Sequence, residues 1–287
     1  NLAVVERTAQ QLQEWLLADA SEQRRLDAGE RGACAATTDA LRFAVEHGHW
    51  TTACALMRCM RELCASGDSF DTCVLSNVQQ FGELDVMGLL LDVLQAAPGD
   101  PNAIAVACGL LMDLTISDGA REIAVRSGVC EAVVGVLRKH VTLSDVAKRA
   151  CGALISLAVN GDNKVPLVQA GVWDAIVDAL RHHTSDAAVA GGACTVIGVL
   201  ALEELDRVLL GRTGVCELVV RALQQHMSTS DVAGAACGAI WALSQNRDNQ
   251  SALAQAGACE AVTATLRQHM PLPELAEQAC GAICNLA

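Results

Sequence analysis

Apolar residues return at three- and four-residue steps along most of the chain, the spacing of helices that bury one face. Val146, Ala150, Leu154, Leu157 and Ala158 form one such stripe. Glycines and short polar turns cut the stripes, and the cuts are periodic. Cys108, Cys151, Cys194, Cys237 and Cys280 stand 43 residues apart, as do Gly128, Gly171, Gly214 and Gly257, and His140, His183, His226 and His269. Whole segments keep the same register. "RACGALISLA", "GACTVIGVLA", "AACGAIWALS" and "QACGAICNLA" form one series, and "SGVCEAVVGVLRKH", "AGVWDAIVDALRHH", "TGVCELVVRALQQH" and "AGACEAVTATLRQH" another.

Each period reads as three helices. A short one ends at the glycine, as from Asn163 to Ala170, where a residue without a side chain permits the turn. A second runs to the histidine, as from Val172 to His183, and a third follows a polar turn, with Ser144 and Ser230 as expected N-caps. Pro98, Pro101, Pro271 and Pro273 all fall at the turn between the second and third helices. A unit of 43 residues cannot bury its own apolar face, so neighbours must stack.

Three helices, a period in the low forties, "AG" before the second helix and "ALxNLA"-like endings resemble the armadillo family. The resemblance covers residues 71–287 as five units, at about 71–117, 118–160, 161–203, 204–246 and 247–287. It implies an all-α, right-handed armadillo-type solenoid with three helices per repeat. The related HEAT repeats have two helices and lack the glycine turn. Residues 1–70 depart from the period and read as an N-terminal helical cap or degenerate repeats. Leu2 to Leu17, Thr37 to His47 and Thr51 to Ser66 are amphipathic there, around a polar, charged linker at Ala20–Gly32.

The resemblance also implies that third helices line a concave groove and that this groove holds partners. Its polar face is Asn102, Val106, Gly109, Asp113 and Ser117 in the first unit, and Asp145, Arg149, Gly152, Ser156 and Asn160 in the second. Gly192, Thr195, Val199 and Glu203 follow in the third unit. Asp231, Ala235, Gly238, Ala242 and Asn246, then Glu274, Gln278, Gly281 and Asn285, complete the series. Helices stacked about 8–10 Å apart would give five units a groove of roughly 40–50 Å. At ~3.3 Å per residue, about a dozen extended residues would fit. Peptide binders of the importin-α type carry Trp and Asn one turn apart on this face. Only Asn285 matches the Asn series, and Trp241 is offset by three residues from the Trp position, so that grip is not expected. The candidate partner-binding residues are Asp113, Arg149, Ser156, Asn160, Glu203, Trp241, Asn246 and Asn285. Small residues such as Gly191, Gly192, Gly198 and Gly234 admit two readings: close approach of a partner helix, or tight packing between third helices.

Composition narrows the function. Hydrophobic residues make up 52% of the 287, with three Phe, four Trp, no Tyr and five Pro, so the core is aliphatic and helical. A net charge of −13 disfavours nucleic acid, and no apolar run approaches the ~20 residues of a membrane span. Charge is uneven: residues 71–117 hold six acids and no Lys or Arg, and residues 118–160 hold four acids and six bases. The fourteen cysteines lie singly within apolar stripes and read as core thiols of a reducing compartment. The histidines close second helices, where they are expected to donate to terminal carbonyls. Cys54, Cys59 and Cys64 lie five apart, so each is rotated by about 140° from the last and no zinc site is expected. No phosphate loop, nucleophile elbow or kinase signature occurs.

The expectation is therefore a non-catalytic scaffold or adaptor without cofactor. Its partner would be a protein or peptide, helical or extended, with basic character as one option. A cytoplasmic setting is expected, with ciliary, cytoskeletal and nuclear ones as variants. Regulation within a larger kinase or exchange factor, a nuclear-transport-like peptide adaptor, and a thiol or metal protein are the competing readings.

Overall fold

The computed structural model describes residues 2–18, 22–65, 72–96, 99–159 and 161–287. Among them every regular element is a helix, and the helices form repeat stacks of the solenoid kind. The chain divides into two compact units, one ending at Val136 and one beginning at Leu137. The first holds α1 (Leu2–Ala18), α2 (Glu22–Glu30), α3 (Ala33–Glu46), α4 (Trp50–Cys64), α5 (Thr72–Glu83), α6 (Val86–Ala96), α7 (Pro101–Leu114), α8 (Asp118–Arg126) and most of α9 (Val129–Lys139). The second holds α10 (Ser144–Ala158), a 3-10 turn at Gly161–Asn163, α11 (Lys164–Gln169), α12 (Val172–His182) and α13 (Ala187–Leu200). It continues with α14 (Glu204–Gly211), α15 (Val215–His226), α16 (Ser230–Leu243), α17 (Arg247–Gln255), α18 (Ala258–Gln268) and α19 (Pro273–Leu286).

In each unit, like packs on like. In the first, α2 lies on α5, α3 on α6 and α4 on α7, with α1 against α4. In the second, α10, α13, α16 and α19 form a continuous row of third helices. The polar stretch read as a linker at 20–32 contains the helix α2. Its Arg25 and Ala28 are buried, and Arg25 Nε donates to Glu62 O at 3.0 Å. Tertiary packing overrides the polar composition of "EQRRLDAGE". Pro98 and Asn160 lie outside the described residues.

The glycine turns have the required backbone. Gly128, Gly171, Gly214 and Gly257 have φ between +77° and +86°, and Asp85 holds φ +55° at the same register one repeat earlier. The second helices that follow are charged as the helix dipole favours. Glu131, Asp174, Glu217 and Glu260 sit in first turns, and Arg138, Arg181, His226 and Arg267 in last turns.

Two side-chain rows tie one repeat to the next. His183 Nε2 donates to Val141 O at 2.6 Å, His226 Nε2 to Thr184 O at 2.8 Å, and His269 Nε2 to Met227 O at 2.7 Å. These histidines therefore serve the turn of the preceding repeat rather than their own helix. The turn between second and third helices leaves a carbonyl facing the joint, where water cannot reliably serve it. The other row was not singled out in the sequence. Asn163 Nδ2 donates to Leu157 O at 2.8 Å, and Asn249 Nδ2 to Leu243 O at 3.3 Å and Arg207 O at 3.0 Å. Asn77 does the same for Leu63 O at 2.9 Å. Each amide closes the C-terminus of a preceding third helix. At the intervening register Asp206 instead pairs with Lys164 Nζ at 2.7 Å.

Caps also differ from expectation. Ser144 and Ser230 are the first residues of α10 and α16, behind Leu143 and Thr229, which make no side-chain cap. Ser144 Oγ donates instead to Asp186 Oδ2. Asp186 in turn caps α13, accepting from Ala188 N at 3.0 Å and Val189 N at 3.2 Å. The bond from Ser144 holds the Asp186 carboxyl below its ordinary range, with the two backbone donors adding to it against desolvation.

The cysteine rows are mostly core. Cys108, Cys151, Cys194 and Cys237 are fully buried, and burial pushes the thiols of Cys194 and Cys237 up to about 12. Cys280, their counterpart on α19, is exposed with Cys284 among the described residues.

Three outcomes follow. Native-state thiol titration read by peptide mapping should label Cys108, Cys151, Cys194 and Cys237 only on unfolding. His226→Leu should lower stability by about 1–3 kcal/mol in chemical denaturation, because Thr184 O loses its donor. Asp186→Ala should cost about 1 kcal/mol at neutral pH. The folded pKa of Asp186 lies below its unfolded value, so this contribution is present above the unfolded pKa of about 4 and fades as pH falls below it. Denaturation of the two proteins from pH 7 to 3 should therefore show their stabilities converging in acid.

Candidate functional site: the third-helix face of the second unit

The helices α13, α16 and α19 are rich in Gly and Ala, and this lets their backbones approach. A methyl at Gly198 would meet Ala239 N at 3.5 Å and Gly238 C at 3.6 Å. One at Gly191 would meet the Val232 side chain at 3.3 Å, and one at Gly192 the Cys151 Cβ at 3.0 Å. Of the two readings of the small residues, packing between third helices is what these positions do. The Trp241 indole uses the same device. It lies over Gly281 of the next third helix, where an added Cβ would stand 2.5 Å from the ring.

Close backbones with few long side chains leave the face open. Two adjoining depressions run along it. One, of about 360 Å³, lies between α13 and α16 and is lined by Thr195, Gly198, Val199, Leu202, Ala235, Gly238, Trp241, Ala242, Gln245 and Gln278, with Cys194 and Ala239 beneath. The other, of about 540 Å³, lies toward the N-terminal ends of α16 and α19. Its walls are Thr195, Ser230, Asp231, Gly234, Ala235, Leu272, Pro273, Glu274, Leu275 and Gln278. The two share Thr195, Ala235 and Gln278. The first is apolar apart from its amides and Thr195. The second carries two exposed carboxylates, Asp231 and Glu274, and neither has Lys or Arg in its lining.

The eight residues singled out from the sequence fare differently. Trp241 borders the apolar depression and is half-buried. Glu203 is exposed at the start of α14, next to Leu202, which is 61% exposed. Asn285 Nδ2 donates to Ser244 Oγ at 3.2 Å and Trp241 O at 3.4 Å, so this amide ties α19 to the end of α16. Asn246 is buried and its amide is committed to the fold. Its Oδ1 caps α17 through Asp248 N and Asn249 N, and its Nδ2 donates to Glu204 Oε1 at 2.6 Å. That removes Asn246 from the free donors of the groove. Arg149 and Ser156 sit half-buried on α10 and line neither depression. Asn160 lies outside the described residues. Asp113 belongs to the first unit, where Arg61 Nε holds it at 2.6 Å.

Sequence reasoning did not find Leu202, Gln245 or Leu272 as lining residues. All three lie at or beyond helix ends, where helical stepping no longer says which way a side chain points. Among the described residues no three His, Cys, Asp or Glu side chains converge as a metal centre requires, and no helix is long and apolar enough to cross a membrane.

No family model matches the chain, and no curated protein matches it. Among solved structures, one from work on a conserved phosphorylation switch that controls the interaction between cadherin and beta-catenin is similar. It is 15% identical with a TM-score of 0.47, over 100% of this chain and 73% of that one. A likeness at that level carries no function from one chain to the other.

Proposed function

We propose that this chain is an armadillo-type scaffold that binds partner proteins without catalysing a reaction, and that its five regular repeats occupy residues 71–287. The observation that carries the reading is the open third-helix face of the second unit, with two adjoining depressions that share Thr195, Ala235 and Gln278. Leu202, 61% exposed, lines the apolar depression beside Trp241, and a docked protein would cover both. The binding residues are those that border the depressions, with Trp241 as the aromatic anchor, an enriched residue type at protein interfaces. A cytoplasmic location accords with a chain whose buried cysteines are all free thiols among the described residues.

Co-purification from cells with the wild-type chain, Trp241→Ala and Thr195→Arg tests the reading. Thr195 is half-buried in both depressions, and an arginine there would fill them. Each variant should keep its helical circular dichroism and lose the partners that the wild type retains. The same partner set on all three proteins would place binding elsewhere.

A further inference from the structure

The two depressions differ in chemistry, and their order along α16 sets a ruler. Trp241 marks the apolar one and Asp231 the acidic one. They are ten residues apart on one helix, which at about 1.5 Å per residue separates them by about 15 Å. The face has a single sign of charge. Across α13, α16 and α19 the charged residues are Asp231, Glu274 and Glu277, with no Lys or Arg. Gln278 lies between the depressions and belongs to both, and its amide offers a donor and an acceptor to a passing backbone.

Resting on the scaffold reading above, we infer that the occupant is an extended protein segment with a large apolar side chain and, four or five residues away, a Lys or Arg. The apolar side chain seats against Trp241, Val199 and Leu202. The cation seats between Asp231 and Glu274. An extended chain advances about 3.3 Å per residue, so four or five residues cover the 15 Å between the two seats. The carboxylates are exposed and the pairs they form are salt-sensitive, so they set orientation and partner choice, while the apolar seat supplies most of the affinity.

The experiment is selection of random twelve-residue peptides displayed on phage against the full chain, followed by titration of the enriched peptides as synthetic probes. The enriched sequences should pair an apolar or aromatic residue with Lys or Arg at a spacing of four or five. Asp231→Lys combined with Glu274→Lys should weaken their binding by about tenfold, and the wild-type affinity should fall with added salt. Trp241→Ala should weaken it by about thirtyfold or more. Thr195→Arg, with its circular dichroism unchanged, should abolish it. Glu122→Lys, on exposed surface of α8, should leave it unchanged. Enriched peptides that lack a cation, or that tolerate the double reversal, but are lost on Thr195→Arg would overturn this inference and leave the face as a binding surface. Peptides indifferent to Thr195→Arg, or no enrichment at all, would overturn both.

Discussion

A three-helix unit of 43 residues exposes an apolar face on either side, and it is stable only where a neighbour closes that face. Every other feature of the fold follows from how the joint between repeats is made. Burying the joint strands backbone carbonyls at two places: the turn after the second helix and the C-terminus of the third. The histidine row serves the first place and the asparagine row the second. Both reach across the joint to groups 42 or so residues away or to the preceding third helix, so each unit completes its neighbour's hydrogen bonding as well as its core. A repeat that lost its neighbour would lose both at once.

The candidate binding face is a by-product of the same economy. Third helices must pack closely for the row to hold, and they do so through Gly and Ala. Those residues cannot also fill the outward side of the row. What remains outside is a mostly apolar floor around Trp241, whose indole lies over Gly281, with Thr195, Gln245 and Gln278 as its polar side chains. The residues that make the stack tight are thus the residues that leave it open to a partner.

Much of this was legible in the sequence, for a physical reason. Positive-φ turns demand glycine, and helical stripes demand a fixed step, so period and element type were visible in Gly171, Cys194 and their counterparts. The stepping also placed Thr195, Val199, Asp231, Ala235, Glu274 and Gln278 on one face, and they line the depressions. What was not legible depends on which partner a polar group finds. A histidine at a helix end fits its own helix or the turn of the preceding repeat equally well in sequence terms, and only packing chose the turn. Asn246 looked like a groove amide because it continues the helical step. The helix stops at Leu243, and three residues later the same side chain is free to cap α17. The asparagine row was obscured because its register is filled by Asn only at every second repeat, with Asp206 and Ala120 between.

If the joints hold the fold, stability is concentrated in the helices that have neighbours on both sides. Native-state hydrogen exchange, resolved by residue, measures this directly. The slowest amides of the second unit should lie in α13 and α16, flanked by third helices on either side, with faster exchange in α14 and α17. Uniform protection across the second unit, or slowest exchange in the short first helices, would contradict it.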